Sequence, residues 1–190
     1  MNKTIIILIT LTSLNLTAQK RTEIFFHDFV ECFYPQKIKE PIVLYDNFNG
    51  KKIAKLPPLN DSHCWYKFAI SNSKKGWLKI ENIIVLPGCE KHELNNNIGK
   101  YKGKWVLAKN MEIFLPDLGP DSGIEMNFYE SPNIKSKIVF TASDYLSTEL
   151  IAISGTWAKL KFKHKGRKII GWLERKYQCS YPWTNCSVWN

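Results

Sequence analysis

Five cysteines, Cys32, Cys64, Cys89, Cys179 and Cys186, and four histidines, His27, His63, His92 and His164, are the residues whose types could act as nucleophiles, bases or metal ligands. Their spacing supports little of that chemistry. A hydrolytic thiol needs a base held beside it, and no cysteine here lies in a recognisable nucleophile context. His63-Cys64 and Cys89-Glu90-Lys91-His92 bring two Cys and two His into one region, yet the intervals match no closed zinc pattern. Glu23, Asp28 and Glu31 share one short stretch, which suits a solvated face better than an acid and base pair. Gly119-Pro120-Asp121-Ser122-Gly123 lacks the Lys and the following helix that a phosphate cradle requires. The expectation is a protein that is not an enzyme and that uses no metal and no cofactor.

Aromatic side chains are the more promising material. Seven Trp, eight Tyr and ten Phe sit in short β-branched and aromatic runs punctuated by Asn, Gly, Pro and Asp, with few helix signals, so an all-β chain is expected. Two stretches echo each other. From Pro41 to Ile83 the order is Val43-Leu44-Tyr45-Asp46, Lys52-Ile53, Trp65-Tyr66-Lys67-Phe68, Gly76-Trp77-Leu78-Lys79. From Glu125 to Tyr177 it is Asn127-Phe128-Tyr129-Glu130, Lys137-Ile138, Trp157-Ala158-Lys159-Leu160, Gly171-Trp172-Leu173-Glu174. Matched in this order, Tyr45 to Gly76 spans 31 residues and Tyr129 to Gly171 spans 42. The second copy is therefore expected to carry longer loops, around Ser143 to Thr156 and His164 to Lys168. The polar run Glu93 to Lys100, with three consecutive Asn and a Gly, divides the copies, giving units at 19–94, with an N-terminal extension, and 95–190.

The repeated blocks resemble the bacterial SH3-like (SH3b) domain family. Leu44-Tyr45-Asp46 is similar to its opening strand, Trp65-Tyr66-Lys67-Phe68 to its central strand, and Gly76-Trp77-Leu78-Lys79 to the Gly-Trp-aliphatic strand near its end. The second copy departs from the pattern, with Phe128-Tyr129-Glu130 in place of Leu-Tyr-Asp. The resemblance implies two small SH3-like barrels in tandem and, often in this family, cell-wall or peptide binding.

Strand alternation sorts each block onto two faces. Tyr66, Phe68 and Ile70 face inward, which leaves Trp65 and Lys67 on the other side; Ala158, Leu160 and Phe162 likewise leave Trp157 and Lys159. With Tyr45, Trp77, Tyr129 and Trp172 these residues make a candidate aromatic and basic binding face: Tyr45, Trp65, Lys67, Trp77, Tyr129, Trp157, Lys159 and Trp172. Flat rings beside Lys suit a glycan or a peptide. The same rings serve equally well as packing, under the segment Glu23 to Tyr34 or between the copies.

Compartment follows from the first 18 residues. Met1-Asn2-Lys3, an uncharged run from Thr4 to Leu16 and a small Ala18 form a signal peptide pattern, too short for a membrane span. No cysteine stands near the cleavage position, so no lipid anchor is expected, and no later segment is long enough to span a bilayer. An exported protein, periplasmic or secreted, lets thiols pair. Cys179 and Cys186 are the best pair, a staple on the C-terminus; of Cys32, Cys64 and Cys89 one stays over, and Cys64 with Cys89 is the preferred bridge. The net charge is +10, carried by 27 Lys and Arg of which only Arg21, Arg167 and Arg175 are Arg. A surface so poor in guanidinium forks argues against nucleic acid. The expected partner is a cell-wall glycopeptide. The alternative is another envelope protein, held or inhibited through the loops of the second barrel.

Overall fold

The β-branched and aromatic runs become twelve strands in the computed structural model, which describes residues 28–61, 63–87, 89, 91–117 and 122–181. In chain order they are β1 (Val30–Tyr34), β2 (Ile42–Tyr45), β3 (Lys52–Leu56), β4 (Cys64–Lys74), β5 (Trp77–Pro87), β6 (Trp105–Leu107), β7 (Glu112–Phe114), β8 (Met126–Tyr129), β9 (Ile138–Ala142), β10 (Ser147–Ser154), β11 (Trp157–His164) and β12 (Arg167–Leu173). A single-turn helix, α1 (Glu93–Asn96), follows β5, and a 3-10 turn at Arg175–Tyr177 follows β12. Among the described residues the regular structure is thus almost entirely β. Among the described residues no helix is long and apolar enough to cross a membrane. The signal peptide at 1–18, His27 and Cys186 lie outside the described residues.

All twelve strands join one antiparallel sheet, in the order β3-β2-β6-β5-β4-β1-β7-β10-β11-β12-β8-β9. The order is a palindrome. Read outward from the centre it runs β1-β4-β5-β6-β2-β3 on one side and β7-β10-β11-β12-β8-β9 on the other. Register shows that the likeness reaches single residues. Tyr45 pairs with Trp105 and Trp105 with Lys79; in the other half Tyr129 pairs with Trp172 and Trp172 with Lys159. A register shift falls between Leu44 and Tyr45 in one half and between Phe128 and Tyr129 in the other. The hairpins after them close alike, Asp46 N–H donating to Lys51 O and Glu130 N–H to Lys137 O.

This frame corrects the pairing of the repeat. Trp157 corresponds to Trp77, not to Trp65, because each opens the strand that follows a tight hairpin turn, Lys75-Gly76 or Gly155-Thr156. Trp172 corresponds to Trp105, not to Trp77. So aligned, Tyr45 to Trp77 spans 32 residues and Tyr129 to Trp157 spans 28. At the two places where longer loops were expected, the structure shows mostly strand and hairpin. Most of 143–156 is strand β10, and His164 to Lys168 is the tip of a hairpin whose turn residues Lys165 and Gly166 have φ of 47° and 78°. The long connection belongs to the first half, between β5 and β6. It holds the Asn-rich segment, which packs: the Asn95 side chain accepts from Val85 N–H and donates to Val85 O and Cys89 O, replacing a missing strand partner. As β6 lies between β2 and β5, the first half of the sheet runs on to Leu107.

One apolar core runs through both halves, from Val30, Phe68 and Ile80 to Met111, Phe128 and Leu160. The halves are also stitched by Ser73, whose hydroxyl donates to Ile153 O and accepts from Ile153 N–H. In the second half β9 leans over β12, with Phe140 against Phe128 and Phe162 at ring centroid distances of 5.9 and 5.2 Å. Gly171 permits this approach, since a Cβ there would stand 2.8 Å from Phe128 Cβ and 2.9 Å from Val139 Cγ2. Gly171→Ala is expected to lower stability by about 1–3 kcal/mol, read from the denaturation midpoint. A loss below about 0.5 kcal/mol would mean that β9 is not held against β12.

The reverse face of the central strands is covered too. After the 3-10 turn the chain lays Cys179 beside Phe114, with hydrogen bonds of 2.8 Å in both directions, over Phe33. Cys179 is disulfide-bonded, Cys32 is a buried free thiol, and Cys64 bonds Cys89 as preferred from the sequence. The bridge ties the start of β4 to the connection after β5.

Candidate functional site

Side chains that point away from the core on β2, β6 and β5 must sit on the opposite face of the sheet, and there three rings gather. Tyr45 and Trp77 meet edge to face at 4.7 Å between centroids. Trp105 lies between their strands, opposite Tyr45 and next to Lys79 in the ladders. Phe48, from the turn between β2 and β3, covers the group, 6.0 Å from Trp77 and 5.9 Å from Trp105, with Lys74 Nζ 4.6 Å from its own ring centroid. The Tyr45 side borders a groove of about 160 Å³, lined by Val43, Leu107 and Met111 among others, with Lys109 and Glu40 paired at its rim.

The second half repeats the arrangement. Tyr129 meets Trp157 edge to face at 5.6 Å, Trp172 stands opposite Tyr129, and Lys159 Nζ lies 5.6 Å from the Trp172 ring. The turn Ser131 to Lys137 has no aromatic residue, so it supplies no counterpart of Phe48. Beyond this cluster β11 continues with Lys161 and Lys163, the latter opposite Lys168, around an open groove of about 380 Å³. Glu149 pairs with Lys161 at 2.6 Å. Trp77, Trp157 and Trp172 are half-buried, while Trp105 and Tyr129 are buried, so each cluster shows ring edges and faces above a fixed floor.

Six of the eight residues expected on the binding face therefore come together in two equivalent clusters: Tyr45 and Trp77 in one, Tyr129, Trp157, Lys159 and Trp172 in the other. Trp65 and Lys67 do not join them. Both lie under the C-terminal segment. Lys67 is 1% exposed and pairs with Glu31 at 2.7 Å, Glu31 also accepts from Arg175 Nη2 at 2.8 Å, and Tyr181 lies over the ammonium at 4.8 Å. Trp65 packs on the neighbouring apolar group of Phe33, Phe114 and Cys179. Alternation placed both correctly on the outer face of β4, but residues 175–181 cover that face. Trp105 and Phe48 were missed because they lie outside the matched blocks; the signal was Trp105-Val106-Leu107, which has the aromatic-aliphatic form of Trp172-Leu173.

Several described residues whose types could do chemistry sit in structural settings instead. Burial, and then the Glu31 carboxylate, push the Cys32 thiol far above its ordinary range, so it stays protonated. His92 Nδ1 accepts from Leu94 N–H and caps α1, and His164 packs on Phe140 at 4.9 Å. Asp61, Cys64 and Cys89 stand close enough to hold an ion, but the two sulfurs are bonded to each other. Tyr66 donates to Pro57 O at 2.9 Å, and burial, with Glu93 and Tyr101 adding to it, pushes its phenol up to about 12.

No family model matches the chain, and no curated protein matches it. The solved structure of NlpC2 from Trichomonas vaginalis is similar at 12% identity over 86% of this chain, with a TM-score of 0.33. The match takes in 52% of that structure, so the chain spans about half its length.

Proposed function

We propose that the protein is an exported, non-enzymatic binding protein of the cell envelope, built as two SH3-like barrels that each present one aromatic cluster to a wall glycopeptide. The recurrence of Tyr, Trp and Lys at matching register in both halves carries this reading. Packing alone asks for large apolar residues at such positions; it does not ask for the same three types, with a Lys beside an indole ring and part of each ring set open to solvent. Stacking on these faces and hydrogen bonding through Lys would hold sugar rings or a peptide stem without sequence-specific pockets. The disulfide between Cys64 and Cys89 and the lack of a membrane-length helix among the described residues are compatible with an exported protein free of a helical span.

Two equivalent clusters on one body make binding to a repeating polymer bivalent. The test is co-sedimentation of the purified protein with insoluble peptidoglycan at low and physiological salt. Trp77→Ala and Trp157→Ala should each weaken retention by about tenfold or more, and the pair together should abolish it at physiological salt. Retention that survives the double replacement, or that vanishes with salt in the unaltered protein, would overturn the aromatic reading. The alternative, another envelope protein held through loops of the second half, is the less favoured reading, since most of 143–156 is strand β10 and His164 to Lys168 is a hairpin tip.

A further inference from the structure

The two ends of the sheet are alike in structure and unlike in sequence. β3 and β9 are both five residues long, each pairs on one side only, each faces the same register shift, and each passes from exposed at its first residue to buried at its last. Position by position, Lys52 stands where Ile138 does, Ile53 where Val139 does, Lys55 where Thr141 does. Exposed lysines on an edge strand are a common device against unwanted strand pairing, and β3 carries two. β9 carries no charge at all, and Ile138 is 48% and Val139 37% exposed. Its N–H and C=O groups away from β8 have no ladder partner among the described residues.

We infer that β9 is a self-association edge, along which a second copy of this chain adds its own β9 antiparallel across a two-fold axis. The uncharged strand selects the occupant. An acidic extended segment would be better served by the lysines of β3, whereas β9 is complementary to itself. Centred on Phe140, the pairing sets Val139 against the partner's Thr141 and Ile138 against the partner's Ala142, β-branched and small residues suited to a ladder. It also brings Lys135 and Lys137, which precede the strand, alongside the partner's Asp144, which follows it. The copies each carry a net charge of +10, and their long-range repulsion is screened beyond about 8 Å at physiological salt. Association therefore strengthens as salt rises, the opposite of polyanion binding.

Sedimentation equilibrium of the full chain from about 10 μM to about 1 mM, at low and physiological salt, tests the inference. The expected result is a reversible dimer with a dissociation constant on the order of 100 μM that tightens with salt. Ile138→Lys with Thr141→Lys, which copies the lysines of β3 onto β9, should weaken it by about tenfold or more while the thermal midpoint stays in place. Thr141→Lys alone should give a smaller loss and serves if the double variant is poorly folded. A monomer across the whole range, a dimer of equal strength in the lysine variants, or a dimer that weakens with salt would each overturn the inference.

Discussion

Glu31→Ala is expected to lower the stability of the protein by about 3–5 kcal/mol, measured by chemical denaturation. The carboxylate is 1% exposed and accepts from two cations, Lys67 at 2.7 Å and Arg175 at 2.8 Å. The two cations differ in what they lose. The Arg175 side chain is 15% exposed and can turn toward water, whereas Lys67 is 1% exposed and loses the carboxylate that lies 2.7 Å from its ammonium. Breaking that short pair at a buried ammonium accounts for most of the expected loss. If this is the cause, Glu31→Leu combined with Lys67→Met should recover most of the stability, since charge and counter-charge leave together. A loss under about 1 kcal/mol for Glu31→Ala would show that water reaches Lys67 and that the C-terminal segment is not closed over it.

The second large effect concerns the Cys64–Cys89 bridge. Its 25-residue separation gives a loss of about 3–4 kcal/mol for Cys64→Ala with Cys89→Ala, by the loop-closure model. Residue replacement is preferable to a reductant, which would open the Cys179 disulfide as well. The loss should show as a lower midpoint in denaturant. It should also loosen the connection that follows, because Asn95 is anchored to Cys89 O as well as to β5. Amide exchange at α1 and the Gly99–Gly103 turn should then quicken before that of β11 and β12. Equal stability with and without the bridge would mean that the β4 and β5 ladder already fixes both ends.

The sequence carries the all-β class through its β-branched runs and turn residues, and it carries the duplication through two Tyr-containing strands and a set of Trp-aliphatic strands. It does not carry their pairing. Trp65, Trp77, Trp105, Trp157 and Trp172 all stand before an aliphatic or aromatic residue on a strand, so spacing alone can match them in more than one order. The register shift beside Tyr45 and Tyr129 decides the match, and a shift of ladder is a property of two strands that neither strand shows by itself. The site was legible for the same reason in part. Alternation gives the face of a residue but not what covers that face, which is why Tyr45 and Trp77 meet in an aromatic cluster while Lys67, with equal claim in the sequence, lies beneath residues 175–181. Exposure of β9 follows from its place at the end of the order, which no local pattern reveals.

The seam at the centre of the sheet also sets an order of assembly. β1 is among the first described segments to be synthesised, yet Glu31 meets Arg175, 144 positions later, and its neighbour Phe33 is covered by residues near Cys179. Each half can form its own hairpins from contacts close in sequence, β4 with β5 and β11 with β12. The middle cannot be finished until the last turn has been made and brought back to the first strand. Closing so wide a loop is entropically expensive before it is rewarded, which places this step late and makes it slow. During that interval the charged pair at the seam stays hydrated. The C-terminal segment is thus the latch that ends folding.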